Sequence, residues 1–341
     1  MSKLYLLDCT LRDGGYVNEW NFGLDNATKI IEELQDAKLD YIECGILGSN
    51  PNGLMDNTTK FQSIMRSSII LPKKNDNCKY TIMLNYSDKD KVIIDTRKHF
   101  MVDAIRLAFF KSDYKDALEY AKELKEKGYE VFLQAMVTSQ YSTDELNDLI
   151  TLVNEINPYA FYLVDSFGTL YDDDILELFY IINDKLNADI LLGFHAHNNM
   201  QLAMSNVMTF IQVSIVQDRD VIVDCSVYGM GRGAGNCPTE LLMQYLNKKL
   251  SHSYDIIQIM QLYKKYIKPI YDITPWGYNA QYFLSARKNV SPAYIWYLFN
   301  QDITDVARIN VILSLIPDDK KHYLDVNVIK FILEGNDYEQ R

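Results

Sequence analysis

Two histidines, His195 and His197, stand one residue apart in the stretch LLGFHAHNN at positions 191–199. On an extended strand, residues i and i+2 point to the same face, so both imidazoles face one side. Same-face imidazoles can hold one divalent metal ion at about 2.0–2.1 Å. Two neutral rings leave such an ion short of ligands and its charge uncompensated, which calls for a carboxylate. The stretch LLDCTLRDGGYVNEW, residues 6–20, offers two, Asp8 and Asp13. Asp13 is the better placed, because Asp8 lies inside an apolar run and equally suits a buried hydrogen-bonded role. A mixed set of two histidines and a carboxylate with open positions suits Mn²⁺, Mg²⁺, Fe²⁺ or Zn²⁺, with Mn²⁺ and Mg²⁺ in front.

Arg12 adjoins Asp13. It reads either as an ion-pair partner or as a cationic donor aimed at a substrate oxygen that becomes negative, a large catalytic effect when the donor is fixed in advance. Glu43 can hold Arg12 or Asp13 in place. The loop YGMGRGAGNCPTE carries four glycines between 229 and 235. Its backbone can approach a ligand closely or cradle an anionic group. Gly231 and Gly233 are therefore substrate-binding candidates, and Asn236 is a candidate further oxygen ligand of the metal.

Strands are expected at Leu4–Cys9, Tyr41–Ile46, Tyr80–Asn85, Ala104–Phe109, Glu130–Val137, Phe161–Asp165, Ile190–His197 and Val221–Ser226. Amphipathic helices separate them, among them 113–128, with a stripe of Ala117, Leu118, Ala121 and Leu124, and 142–157, which opens on the capping-box pair Ser142 and Glu145. Strict alternation implies parallel strands, and eight units suit a (β/α)₈ barrel over residues 1–250. The alternative, an open doubly wound sheet, lacks a dinucleotide loop after its first strand, since DGGY has the wrong spacing. Residues 251–341 read as a smaller helical domain punctuated by Pro269, Pro275, Pro292 and Pro317. In a barrel the site lies at the C-terminal ends of the strands. That rim collects Asp8, Arg12, Asp13, Glu43, Gln134, Asp165, His195 and His197. Gln134 and Asp165 are the substrate-binding candidates from strands five and six.

The 341 residues carry a net charge of −12, which argues against nucleic acid and anionic membrane surfaces. No apolar run reaches the roughly 18 residues of a membrane span. Met1-Ser2-Lys3 leads directly into the first strand, and no signal peptide is expected. The five cysteines, Cys9, Cys44, Cys78, Cys225 and Cys237, include no C-x-x-C pair and read as reduced thiols of a cytoplasmic protein.

The pieces DCTLRDGG, IECGI, HAHNNMQLA and GMGRGAGNCPTE occur in order across the whole expected barrel. Together they resemble the metal-dependent (DRE-TIM) aldolase and lyase superfamily that includes 4-hydroxy-2-oxovalerate aldolase, 3-hydroxy-3-methylglutaryl-CoA lyase and isopropylmalate synthase. The resemblance implies a (β/α)₈ barrel, a divalent metal held by Asp13, His195 and His197, an enolate-stabilising role for Arg12, and Glu43 as the acidic partner of the motif. GAGNCPTE is closest to the aldolase branch. The lyase's catalytic cysteine falls near Gly233, so Cys237 does not inherit its role, and the synthase's Asp-Gly-Glu-Gln is replaced by Asp13-Gly14-Gly15-Tyr16. WGYNAQYFLSA, 276–286, is similar to the aldolase's C-terminal domain, which contributes a tyrosine to the site. Tyr282 is the candidate for it, with Tyr278 second. The chain departs from the catabolic aldolases at Tyr16, where they carry a histidine base. A tyrosine with the reference pKa of about 10 is roughly 0.1% ionised at pH 7, a deficit of about 4 kcal/mol in preparing a base.

The expected reaction is cleavage or formation of a carbon–carbon bond of a 4-hydroxy-2-oxo acid, giving pyruvate through its enolate plus an aldehyde. Tyr16 or a metal-activated water would serve as the base. A Claisen-type acyltransferase or acyl-CoA lyase on the same scaffold is the alternative. A non-catalytic metal- or ligand-binding barrel is a third reading, against which the retention of Arg12 speaks. The resemblance also implies a homodimer or an aldehyde dehydrogenase as partner through the C-terminal helices.

Overall fold

The structure, a computed structural model, describes residues 2–49, 58–75 and 78–336. The strands are β1 (Leu4–Asp8), β2 (Tyr41–Leu47), β3 (Lys60–Phe61), β4 (Lys79–Asn85), β5 (Ala104–Phe109), β6 (Glu130–Ala135), β7 (Ala160–Asp165), β8 (Leu191–Ala196) and β9 (Val221–Cys225). All except β3 form a closed parallel ring, in which β1 pairs with both β9 and β2. The two-residue β3 pairs alongside β2. The expected (β/α)₈ barrel is the observed one.

Several strands stop earlier than their apolar runs suggest. The run through Val137 ends at Ala135, because Val137 takes a left-handed turn with φ 53°. His197 leaves the β8 ladder and forms an antiparallel bridge with Asn236 of the glycine loop. Both helical readings hold. Helix Tyr114–Glu126 buries Ala117, Leu118, Ala121 and Leu124. Helix Thr143–Ile156 opens on the Ser142–Glu145 box, whose two hydrogen bonds satisfy amides that the helix itself cannot.

Alternation along the strands sorts the barrel interior into layers. Leu7, Tyr41, Ala104, Phe132, Ala160, Leu191 and Ile222 pack together as an apolar lower layer. Below it, the Tyr41 and Tyr159 hydroxyls share a 2.7 Å hydrogen bond, and Lys79, paired with Glu130, lies 4.4 Å over the Tyr159 ring. Two residues further along the strands come Glu43, Arg106, Gln134, Tyr162 and Asp224, so the interior turns from apolar to charged within one repeat. Gly193 makes this possible, because a β-carbon there would sit 2.3 Å from the Tyr162 ring.

The C-terminal helices divide by packing. Ile259, Leu262, Tyr266 and Ile267 belong to the barrel's own core. A second core begins at Leu284 and runs through Tyr294, Leu298, Ile309, Leu313 and Ile329. The helices just beyond residue 250 thus pack with the barrel, and the independent core begins well after that expected boundary. The C-terminal segment touches the rim beyond β9 and beyond β7. The chain leading to the second core places the Trp276 indole N–H on the Tyr228 carbonyl at 3.0 Å, and His322 stacks on Phe167. Among the described residues no helix is long and apolar enough to cross a membrane.

Candidate active site

Past β1 the backbone coils through two short helical turns, Thr10–Asp13 and Gly15–Asn18, which turn Arg12 and Asp13 inward. The Trp20 indole N–H donates to the Arg12 carbonyl at 2.8 Å and fixes this turn. Arg12 donates through Nε to Glu43 at 2.6 Å and through Nη1 to Asp13. Glu43 also lies 2.8 Å from Arg106 Nη1, at ion-pair distance but without hydrogen-bond alignment. Arg106 Nη2 donates to Asp224, whose Oδ2 is 2.8 Å from His195 Nδ1 and whose Oδ1 accepts from Tyr162 at 3.1 Å. Asp13, Arg12, Glu43, Arg106, Asp224 and His195 thus form one buried chain of contacts across the barrel mouth. Three carboxylates against two guanidiniums leave it one net negative charge.

Asp13, His195 and His197 each present a ligand atom, and these atoms lie within 4.8 Å of one another. Buried His195 Nε2, His197 Nδ1 and Asn236 Oδ1 make no hydrogen bond among the described residues. Leaving buried polar atoms unmet costs about 1–3 kcal/mol each, so their convergence beside a carboxylate fits a divalent ion. Burial would raise the Asp13 carboxyl, but the Arg12 guanidinium outweighs it and holds it well below the usual carboxylate range. Burial lowers His197 to about 3, so its ring is neutral, as a ligand must be. The Asp224 bond orients the His195 ring and leaves Nε2 facing the cluster. Asp8, the other carboxylate near β1, is not part of the group. It accepts from the Thr10 amide at 2.9 Å and the Thr239 hydroxyl at 2.8 Å.

The glycine loop after β9 completes the wall. The Asn236 amide donates to Asp13 Oδ2 at 2.9 Å, and the Arg232 backbone N–H donates to the same oxygen at 3.1 Å. Gly231 fits because a β-carbon there would lie 2.3 Å from Asn236 Nδ2 and 2.5 Å from Asp13 Oδ2. Gly233 sits against Asn199, whose side chain ties the Ala234 amide to the Phe167 carbonyl and so joins this loop to the one after β7.

A cavity of about 50 Å³ lies at the centre, lined by Arg12, Asp13, Tyr16, Gln134, His195 and His197, with Arg232 and several apolar side chains. Glu43 stands behind Arg12, and with its amide oxygen turned toward Arg106 Gln134 accepts from Nε and Nη2 at 3.3 and 3.1 Å. Two expected residues lie elsewhere. The Asp165 carboxylate turns away from the cavity and accepts the amides of Thr169 and Leu170, so it braces its own loop in place of the expected substrate contact. Tyr282 lines a second, outer cavity of about 580 Å³, together with Gly231, Gly233, Tyr16 and Arg232. Tyr278 is exposed. Cys237 is buried against Met204, and burial pushes its thiol up, so it supplies no thiolate.

Sequence reasoning passed over Arg106, Asp224 and Arg232. The first two had a readable signal, a lone charge at an inward position of an apolar strand, in AIRLAF and VIVDC. Arg232 was visible only as a member of the glycine loop. Its guanidinium lies 5.4 Å over the Tyr16 ring, Nη2 donates to the Ser166 carbonyl at 3.2 Å, and Nε is buried without a partner.

The HMGL-like family model matches residues 3–265, the whole barrel together with the helices packed on its core. The chain belongs to the HMGL-like family. Relatives of this HMGL-like chain include the 4-hydroxy-2-oxovalerate aldolase of Geobacillus genomosp. 3, 26% identical over 297 residues that cover 86% of this chain and 85% of the relative. A crystal structure of the N-terminal domain of a candidate aldolase from Bacteroides vulgatus is 28% identical, covers 88% of this chain and 99% of that one, and superposes with a TM-score of 0.71. The carboxyl transferase domain of Rhizobium etli pyruvate carboxylase, 13% identical with a TM-score of 0.77, covers 99% of this chain and 61% of that one, a likeness of fold that extends over the C-terminal helices. With aldolase relatives and an HMGL-like barrel, the protein is an enzyme of the carbon–carbon lyase kind.

Proposed function

We propose that this HMGL-like enzyme is a divalent-metal-dependent aldolase that cleaves or forms the C3–C4 bond of a 4-hydroxy-2-oxo acid. The observation that carries this reading is the convergence of Asp13, His195 and His197, with unpartnered nitrogens, beside an Arg12 guanidinium held by two carboxylates. Asp13, His195, His197 and the free oxygen of Asn236 would hold the ion, a mixed N/O set open to Mn²⁺, Mg²⁺, Fe²⁺ or Zn²⁺. When bound, such an ion supplies Lewis-acid polarisation of a carbonyl.

The chain's own residues account for the rest. The oxo-acid end enters the inner cavity against Arg12 and Gln134. Tyr16, at the junction of the two cavities, accepts the proton of the C4 hydroxyl as its phenolate and becomes the phenol. The C3–C4 electron pair passes to the 2-oxo group, the aldehyde departs, and the enolate oxygen gains its negative charge beside Arg12. The proton taken up by Tyr16 is returned to C3, directly or through water, which gives pyruvate and restores the phenolate. Glu43 and Arg106 act on Arg12 from behind, fixing its fork before charge develops. An acyl-CoA reading gains less support, since Arg232 is the one cation among the described residues lining the outer cavity, which leaves the phosphates of coenzyme A poorly matched.

The test is pyruvate release from a set of 4-hydroxy-2-oxo acids after chelation and after return of Mn²⁺ or Mg²⁺. Metal-dependent release is expected, reduced about 10²–10³-fold in Arg12→Ala, the size typical for loss of one oxyanion donor, with metal affinity changed far less. Release of free thiol from acyl-CoA substrates, with none of pyruvate, would move the assignment to the acyl-CoA reaction.

A further inference from the structure

We infer that the outer chamber, between the barrel rim and the C-terminal helices, seats the aldehyde-derived half of the substrate, and that this half is a bulky apolar group such as an aryl ring. This takes the aldolase reading as given and assigns the substrate class it leaves open. The chamber measures about 580 Å³, within the range of small-molecule sites, whereas the inner cavity measures about 50 Å³. At roughly 10–15 Å³ for each water-sized group, the inner cavity has room for the oxo-acid end and little more. Tyr16 and Arg232 line both spaces. A substrate with its carboxylate and C2 in the inner cavity therefore has its C3–C4 bond near these two residues and its remaining substituent in the chamber.

The lining states what that substituent is. All three tryptophans of the chain, Trp20, Trp276 and Trp296, face this chamber. Two are fixed in advance: the Trp20 and Trp276 indole N–H groups donate to the carbonyls of Arg12 and Tyr228. Rings held before a ligand arrives lose little freedom on binding it. Pro292, Phe299 and Leu324 extend the apolar wall. A methyl substituent leaves most of this surface uncovered, whereas an aryl ring stacks on it.

The full-length protein is tested with 4-hydroxy-2-oxopentanoate and 4-hydroxy-2-oxo-4-phenylbutanoate, comparing kcat/KM for pyruvate release. The phenyl compound is expected to be favoured by about tenfold or more, the scale on which apolar pockets discriminate. Ala293→Phe, which fills part of the chamber, should cancel that preference while retaining enzyme-dependent exchange of pyruvate methyl protons. Trp296→Ala, at a half-exposed position, should lower the phenyl rate alone. Tryptophan fluorescence should respond to benzyl alcohol and not to ethanol, and respond less in Ala293→Phe. A preference for the methyl compound, or equal loss of both in the variants, overturns the assignment. Absence of pyruvate exchange in the unaltered protein is instead a failure of the aldolase reading, and the benzyl alcohol titration then still decides whether the chamber takes an aryl group.

Discussion

His195 owes its orientation to Asp224, since the 2.8 Å contact at Nδ1 commits the ring to presenting Nε2 to the cluster. Burial would raise Asp224, but Arg106 and His195 hold its carboxyl below the ordinary range, so the charge that orients the ring is present at neutral pH. Asp224→Asn is expected to weaken Mn²⁺ binding about 10–100-fold by calorimetry, the usual effect of losing a partner behind a ligating histidine. Asp8 behaves in the opposite way. Burial raises it to about 6, against the hydrogen bonds from Thr10 and Thr239. A carboxyl raised above its unfolded value of about 3.8 favours folding while protonated, and that advantage is lost as pH climbs from about 4 through 6. Asp8→Asn stays neutral throughout. Relative to the unaltered protein it should therefore gain on the order of 2–3 kcal/mol between pH 4 and pH 7 in urea unfolding.

The glycine loop after β9 works by close approach. Gly231→Ala places a methyl group against Asp13 and Asn236, and should cost at least about tenfold in metal affinity by calorimetry. Elements of this kind were largely legible in the sequence. Alternation gave the eight barrel strands, and the placing of His195, His197, Arg12 and Asp13 at the rim followed from it. What the linear pattern could not convey was sideways contact. Arg106 and Asp224 lie on different strands, and their link between Glu43 and His195 exists only after the ring closes. Asp165 sits at a strand end like the others, yet two backbone amides turn it into its loop. The aromatic chamber was equally hidden, because Trp20 and Trp296 are far apart in the chain and come to line one cavity only in the folded molecule.

At the scale of the molecule, a barrel with a charged upper layer carries a second helical core that shares the outer chamber with its rim. The barrel holds Asp13, His195, His197 and Arg12 buried, and the C-terminal helices add Trp296 to the wall of the adjoining chamber. The central claim is that this rim stabilises a pyruvate enolate in a metal-dependent way, whatever aldehyde the chamber accepts. The most direct test is exchange of the pyruvate methyl protons in D₂O, followed by NMR with the chelated protein and again with Mg²⁺ added. Enolate stabilisation requires enzyme-catalysed exchange that appears with Mg²⁺, disappears on chelation and is abolished in His197→Ala. Exchange no faster than in buffer, with Mg²⁺ bound, would contradict it.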